Sequence, residues 1–258
     1  RNHHIKPIYF SDIVSVYRDE RLKSRIVFDI KDICYQFKNG KYGLNKLSFT
    51  EESGRLVGIM GASGAGKSTL LNVLNGSAKP STGEILINGI NIHEEKDEVE
   101  GLIGHVSQDD LLIEELTVYQ NLYYNAKLCF DNYSESEIRN TVNKVLQNLG
   151  LYEIKNVQVG TPLNKKISGG QRKRLNIALE LIREPAILFL DEPTSGLSSR
   201  DSENIMDLLK DLTLKGKLVF VVIHQPSSDI FKMFDQLLIL DSGGYLIYNG
   251  DPIDSLIY

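Results

Sequence analysis

The sequence predicts an α/β fold: a phosphate-binding core with a mostly parallel sheet, an antiparallel β-subdomain and an inserted α-helical subdomain. Three observations carry this. The apolar run Leu56–Met60 feeds into Gly61-Ala62-Ser63-Gly64-Ala65-Gly66-Lys67-Ser68-Thr69, which fits G-x-x-x-x-G-K-[ST], and Leu70–Asn75 continues as a helix ended by Gly76. Ala186–Leu190 and Leu218–Ile223 are continuous apolar runs flanking an amphipathic helix over about Asp201–Leu212, the pattern of strands buried on both faces. Between the two, from Leu111 to about Gly150, apolar residues recur at helical spacing, with Val142, Val145, Leu146 and Leu149 on one face.

Composition bounds what the chain does. Its 258 residues suffice for one large domain with a good core. A hydrophobic content of 41% and a charged content of 24% are ordinary for a globular protein. No apolar run reaches the roughly 18 residues needed to cross a bilayer. The formal net charge of -5 argues against a nucleic-acid-binding surface. Cys34 and Cys129 lack metal-ligand spacing and point to a reducing compartment. The chain opens on Arg1 and is expected to be a piece of a longer polypeptide.

In chain order, residues 1–24 are weakly patterned and read as a linker or N-terminal arm, with the domain proper over 25–258. Ile26–Ile30 and Lys46–Thr50 alternate partially, as strands of an antiparallel sheet do. The acidic cluster Glu94–Glu100 reads as a solvated loop. The helical subdomain is expected over about 109–182, including a helix over Gln171–Ile182. Leu237–Asp241 and Tyr245–Tyr248, split by Ser242-Gly243-Gly244, read as a closing hairpin.

The chemistry follows from these positions. A glycine-rich turn lets consecutive backbone N–H groups point at phosphates, with Lys67 as a point charge and the Ser68 hydroxyl placed for Mg²⁺. Asp191, ending an apolar strand beside that loop, suits a metal contact, and Glu192 is expected to point the other way. Ser168-Gly169-Gly170-Gln171 opens a helix whose N-terminus favours an anion, although a serine there is also what an ordinary helix cap requires. Gln108, after a strand, and His224, at a strand end, have by themselves the bland reading of surface polar residues.

The phosphate loop, the Ser168–Gln171 stretch and Ile187–Pro193 together resemble the nucleotide-binding domain of an ABC (ATP-binding cassette) transporter, over about residues 25–258. That resemblance implies a P-loop NTPase core, ATP and Mg²⁺ as cofactors, and Mg²⁺-dependent hydrolysis. It implies Glu192 as the residue that polarises the attacking water, Gln108 as the Q-loop contact to Mg²⁺ or that water, and His224 as the γ-phosphate contact. Phe37 is the candidate to stack on adenine, with Tyr35 second. The signature Ser168–Gln171 of one cassette completes the ATP site of another, so a homodimer or heterodimer of cassettes is implied. Gln108-Asp109-Asp110-Leu111, Arg172-Lys173-Arg174-Leu175 and Ile223-His224-Gln225-Pro226-Ser227 resemble subfamily G, the pigment and sterol half-transporters. This implies a transmembrane domain on the same polypeptide, a position at the cytoplasmic face of a membrane, export, and no nucleic-acid partner. One departure is Ser198, where the family's D-loop usually carries Asp. Two other readings stay open: a soluble ABC ATPase acting on ribosomes or DNA, and an ATP sensor without turnover.

Overall fold

Apolar runs without alternation become strands covered on both faces, and that is how the centre of this chain is built. A computed structural model describes residues 25–256 apart from 162, 163 and 165; residues 1–24, read above as an arm, and 257–258 lie outside the described residues. Strands β3 (Leu56–Gly61), β6 (Ile103–Val106), β7 (Ile187–Asp191), β8 (Leu218–Val222) and β9 (Gln236–Asp241) run parallel in the order β9-β3-β8-β7-β6. Side chains alternate across this sheet. Ile187 and Phe189 of β7 and Leu218, Phe220 and Val222 of β8 enter one core, shared with Leu70, Leu71, Val73 and Leu74 of helix α1 (Lys67–Leu74). Leu188, Leu190, Val219 and Val221 enter the opposite core, against Ile205, Met206, Leu209 and Leu212 of α6 (Ser199–Leu214). Helices thus cover both faces, and the strand ends at Gly61 and Asp191 share one edge.

Strands β1 (Val27–Gln36), β2 (Tyr42–Glu52), β4 (Thr82–Ile87) and β5 (Ile90–Asn91) pair antiparallel. They lay Phe28, Ile30, Leu44 and Phe49 on the core that α1 covers, where Phe28 meets Phe189 and Phe220 edge-on. The closing strand β10 (Tyr245–Gly250) pairs antiparallel with β9 and meets β2 at Tyr245 opposite Asn45, which joins the two sheets. The expected hairpin is present.

Helices α3 (Val118–Cys129), α4 (Glu135–Asn148) and α5 (Gly169–Leu181) bury Leu122, Ala126, Val142, Leu146, Leu175 and Ala178 in a third core of their own. Each starts with a reciprocal capping box: Thr117 with Gln120, Ser134 with Glu137, Ser168 with Gln171. Element bounds depart from expectation in several places, and two of them show why. Helix α5 begins at Gly169, two residues early, because the cap outweighs the poor propensity of two glycines. The acidic cluster contains one helical turn, α2 (Lys96–Val99), anchored by buried Val99. The last helix, α7 (Ser228–Phe231), is a single turn capped by Ser227.

Candidate nucleotide-binding site

Two glycines of the phosphate loop, Gly61 and Gly66, have no room for a side chain. A Cβ at Gly61 would lie 2.4 Å from the Leu240 carbonyl oxygen. Gly66, at φ 102°, precedes α1 in the left-handed region, and a Cβ there would sit 2.6 Å from the Gly43 carbonyl. Ala62 and Ala65 close the turn, with the Ala65 N–H donating to the Ala62 carbonyl at 3.2 Å. The Lys67 ammonium is buried and donates to the carbonyls of Gly61 and Ala62, both at 2.9 Å. Burial lowers its pKa, opposed by the nearby charges of Glu192 and Asp191.

Ser63, Gly64, Gly66, Lys67, Ser68 and Thr69 line a cavity of about 410 Å³ together with Glu192 and His224. Its other wall is Phe37, Lys41, Tyr42 and Gly43. The Phe37 ring lies on Gly43, where a Cβ would fall 2.6 Å from Cε2, and Tyr35 packs edge-on behind it with centroids 5.2 Å apart. Lys41 and Tyr42 were absent from the sequence candidates. The isolated glycine at 43 inside a strand pattern was the available signal for a close approach.

The carboxylates at the end of β7 separate as expected. Glu192, with φ 44°, turns toward the cavity. Its Oε1 lies 3.0 Å from His224 Nε2, and its Oε2 accepts from Gln108 Nε2 at 3.3 Å. Gln108, Glu192 and His224, remote in sequence, therefore converge. Asp191 turns inward. Burial raises its pKa, as does Glu192, against the lowering effect of His105, Lys173 and His224. Its Oδ1 is buried and lacks a hydrogen-bond partner among the described residues.

That orphaned oxygen fits a hard cation. Asp191, Gln108 and Ser68 carry carboxylate, amide and hydroxyl oxygens, donor types that suit Mg²⁺, and of the three only Ser68 lines the cavity. Among the described residues no group of three or more His, Cys, Asp or Glu side chains could hold a metal by themselves. A magnesium ion held by few protein oxygens together with substrate phosphates has no need of such a cage.

Ser168, Gly169, Gly170 and Gln171 do not line this cavity. Ser168 Oγ accepts from the Gln171 N–H at 3.1 Å, and Gln171 Oε1 accepts from the Ser168 N–H at 2.8 Å, so both side chains cap α5. Against this turn lies Asp201, whose Oδ1 would be 2.5 Å from a Cβ at Gly170. Ser198 caps α6, accepting from the Asp201 N–H at 3.2 Å and donating to Asp201 Oδ2 at 2.9 Å. A carboxylate therefore does stand beside the signature turn, three residues after the serine that departs from the family pattern.

The family model described as ABC transporter matches residues 44–195, more than half of the chain. This chain belongs to the ABC transporter family. Its similar curated proteins include "Putative white-brown complex homolog protein 30" of Arabidopsis thaliana, 38% identical over 251 residues that cover 95% of this chain and 23% of that protein. Another is "ABC transporter G family member 28" of the same plant, 38% identical over 95% of this chain and 22% of that protein. The "Broad substrate specificity ATP-binding cassette transporter ABCG2" of Bos taurus is 41% identical over 78% of this chain and 30% of that protein. The chain spans about a quarter of the length of the first such relatives. Among solved structures, cbiO1 from Clostridium perfringens, titled as part of the ABC transporter complex cbiONQ, superposes with a TM-score of 0.80 at 28% identity, covering 91% of this chain and 92% of that one. The fold is that of an ABC ATPase domain, homologous to domains of membrane transporters. No helix among the described residues is long and apolar enough to cross a membrane.

Proposed function

We propose that this ABC domain binds ATP with Mg²⁺ and hydrolyses it to drive a membrane transporter. The observation that carries the reading is the Glu192 carboxylate at the cavity wall, one oxygen beside His224 and the other bonded to the Gln108 amide. Loop amides of Gly61–Gly66 and the Lys67 ammonium hold the β- and γ-phosphates, Ser68 and Thr69 close the helix side, and Phe37 stacks on adenine. Ser68, Gln108 and Asp191 hold Mg²⁺, which offsets phosphate charge. Glu192 orients a water and takes its proton as the water oxygen bonds to the γ-phosphorus and the bond to the β–γ bridging oxygen breaks. His224 holds a γ-phosphate oxygen. Positioning and electrostatics supply the acceleration, since phosphoryl transfer needs no covalent intermediate on the protein.

Two such domains, identical or different, close on two ATP molecules. Ser168, Gly169, Gly170 and Gln171 of each complete the site of the other, as a closed twofold arrangement requires. Similarity to subfamily G proteins supports a transmembrane domain on the same polypeptide, work at the cytoplasmic face of a membrane, and export. Net acidity supports a partner other than nucleic acid. The test is phosphate release from ATP with Mg²⁺, with EDTA, and by Lys67→Ala. Turnover is expected only from the unaltered chain with Mg²⁺. Release that survives EDTA or Lys67→Ala contradicts the reading.

A further inference from the structure

The basic run after the signature is turned inward. Arg172, only 6% exposed, makes a two-pronged pair with Asp110, Nε to Oδ2 at 2.7 Å and Nη2 to Oδ1 at 3.1 Å. Its third nitrogen donates to the Gly160 carbonyl at 2.6 Å. Lys173 Nζ donates to the carbonyls of Ser107 and Gln108, at 3.3 and 3.2 Å. Asn176, buried on the same helix, accepts from the Leu111 N–H at 3.3 Å. Residues 107–111 have no regular secondary structure, yet α5 holds them at four points, on Ser107, Gln108, Asp110 and Leu111.

The electrostatics fit a clamp better than a solvated charge run. A part-buried ammonium bonded to two backbone carbonyls is costly to leave unpaired. A two-pronged guanidinium fixes orientation as well as distance.

We infer that Arg172 and Lys173 are positioning residues that lock the Gln108 segment to the signature helix, so that the Glu192–Gln108 contact in one ATP site sets the placement of Ser168–Gln171, which serves the other. This rests on the two-site reading above. Gln108 touches Glu192 at one end of the segment, α5 grips its backbone, and Ser168 opens that same helix. The contacts are contiguous, a physical network of the kind that can carry coupling.

The experiment is a kinetic cycle with Lys173→Met, Gln108→Ala and the double variant, with Lys173→Arg as rescue. Lys173→Met is expected to leave the KM for MgATP within about twofold and to lower kcat about tenfold or more, the scale of a lost charged hydrogen bond. Lys173→Arg restores most of the loss. In the Gln108→Ala background, Lys173→Met should cost little more, because the lysine acts through that segment. An unaltered kcat, or losses that multiply independently, overturns the inference. Should Lys173→Met fail to fold, native-state hydrogen exchange on the unaltered chain decides: amides of 107–111 and of 168–174 are expected to open as one unit, with the same opening free energy and the same denaturant dependence. Independent opening of the two segments overturns the inference. If the unaltered chain hydrolyses no ATP, the functional reading fails first, and joint opening still tests the clamp.

Discussion

The N-termini of α1 and α5 are both suited to phosphate and are built in opposite ways. Helix α1 starts from Gly66 without a side-chain cap, inside a turn of glycines pressed against the carbonyls of Leu240 and Gly43. Its free N–H groups face a cavity that already contains Lys67, Glu192 and His224. Helix α5 starts from Ser168 with its hydroxyl accepting from the Gln171 backbone N–H and the Gln171 side-chain oxygen accepting from the Ser168 backbone N–H. The first end is left to a ligand at some expense to local stability. The second is stable alone, with a cap worth roughly 1 kcal/mol, and because Ser168 Oγ only accepts in that cap its hydroxyl hydrogen stays available to a partner's phosphate. The difference teaches which half of the proposed site is preformed and which half waits for a second domain.

The comparison breaks most severely at Glu192. Glu192→Gln keeps the hydrogen-bonding shape but removes the base, and phosphate release should fall by about 10²–10⁴-fold while ATP affinity stays near that of the unaltered chain. A rate within tenfold would reassign the base. Next is Gly66→Ala, which places a side chain at φ 102° against the Gly43 carbonyl. Strain of about 1–3 kcal/mol is expected in denaturant melts, together with loss of nucleotide binding by fluorescence of a labelled ATP. Binding at the original affinity would mean that the turn is not the phosphate cradle.

Ser168→Ala sharpens the contrast from the other side. Removing the cap should cost about 1 kcal/mol of stability without changing the affinity of a single domain for ATP, because that serine does not line the cavity. The smallest effect lies far from either end. The Tyr123 hydroxyl first, then Arg139 and Lys127, hold the exposed Glu135 carboxylate down at about 2, against an ordinary value of 4.5. A depressed carboxylate stabilises the fold fully above about 4.5 and loses that contribution as pH falls toward about 2. Thermal melts of Glu135→Gln and the unaltered chain should therefore differ slightly at neutral pH and converge near the acid end of that window.

Legibility in the sequence divides along similar lines. The phosphate loop, the Asp191-Glu192 strand end and the parallel core could be read because each is a local pattern with a period or a motif. Roles for Gln108, Glu192 and His224 at one site came only through family resemblance, since their convergence is made by strand order and not by spacing. Lys41 and Tyr42 were missed because tertiary packing, not local pattern, brings the turn into β2 against the phosphate loop. Arg172 and Lys173 looked like a basic run, and only burial against Asp110 and the 107–108 carbonyls reveals a clamp. At Ser168, the capping-box spacing was present in the sequence, and the two roles of that serine share the same atoms.

The central claim is that two domains close on ATP, and light scattering of Glu192→Gln with Mg²⁺ and ATP tests it most directly. A mass that doubles on adding ATP, and reverts on its removal, is the predicted result. A mass that stays that of a single domain at saturating ATP would contradict the claim that the Ser168 turn of one domain completes the phosphate site of another.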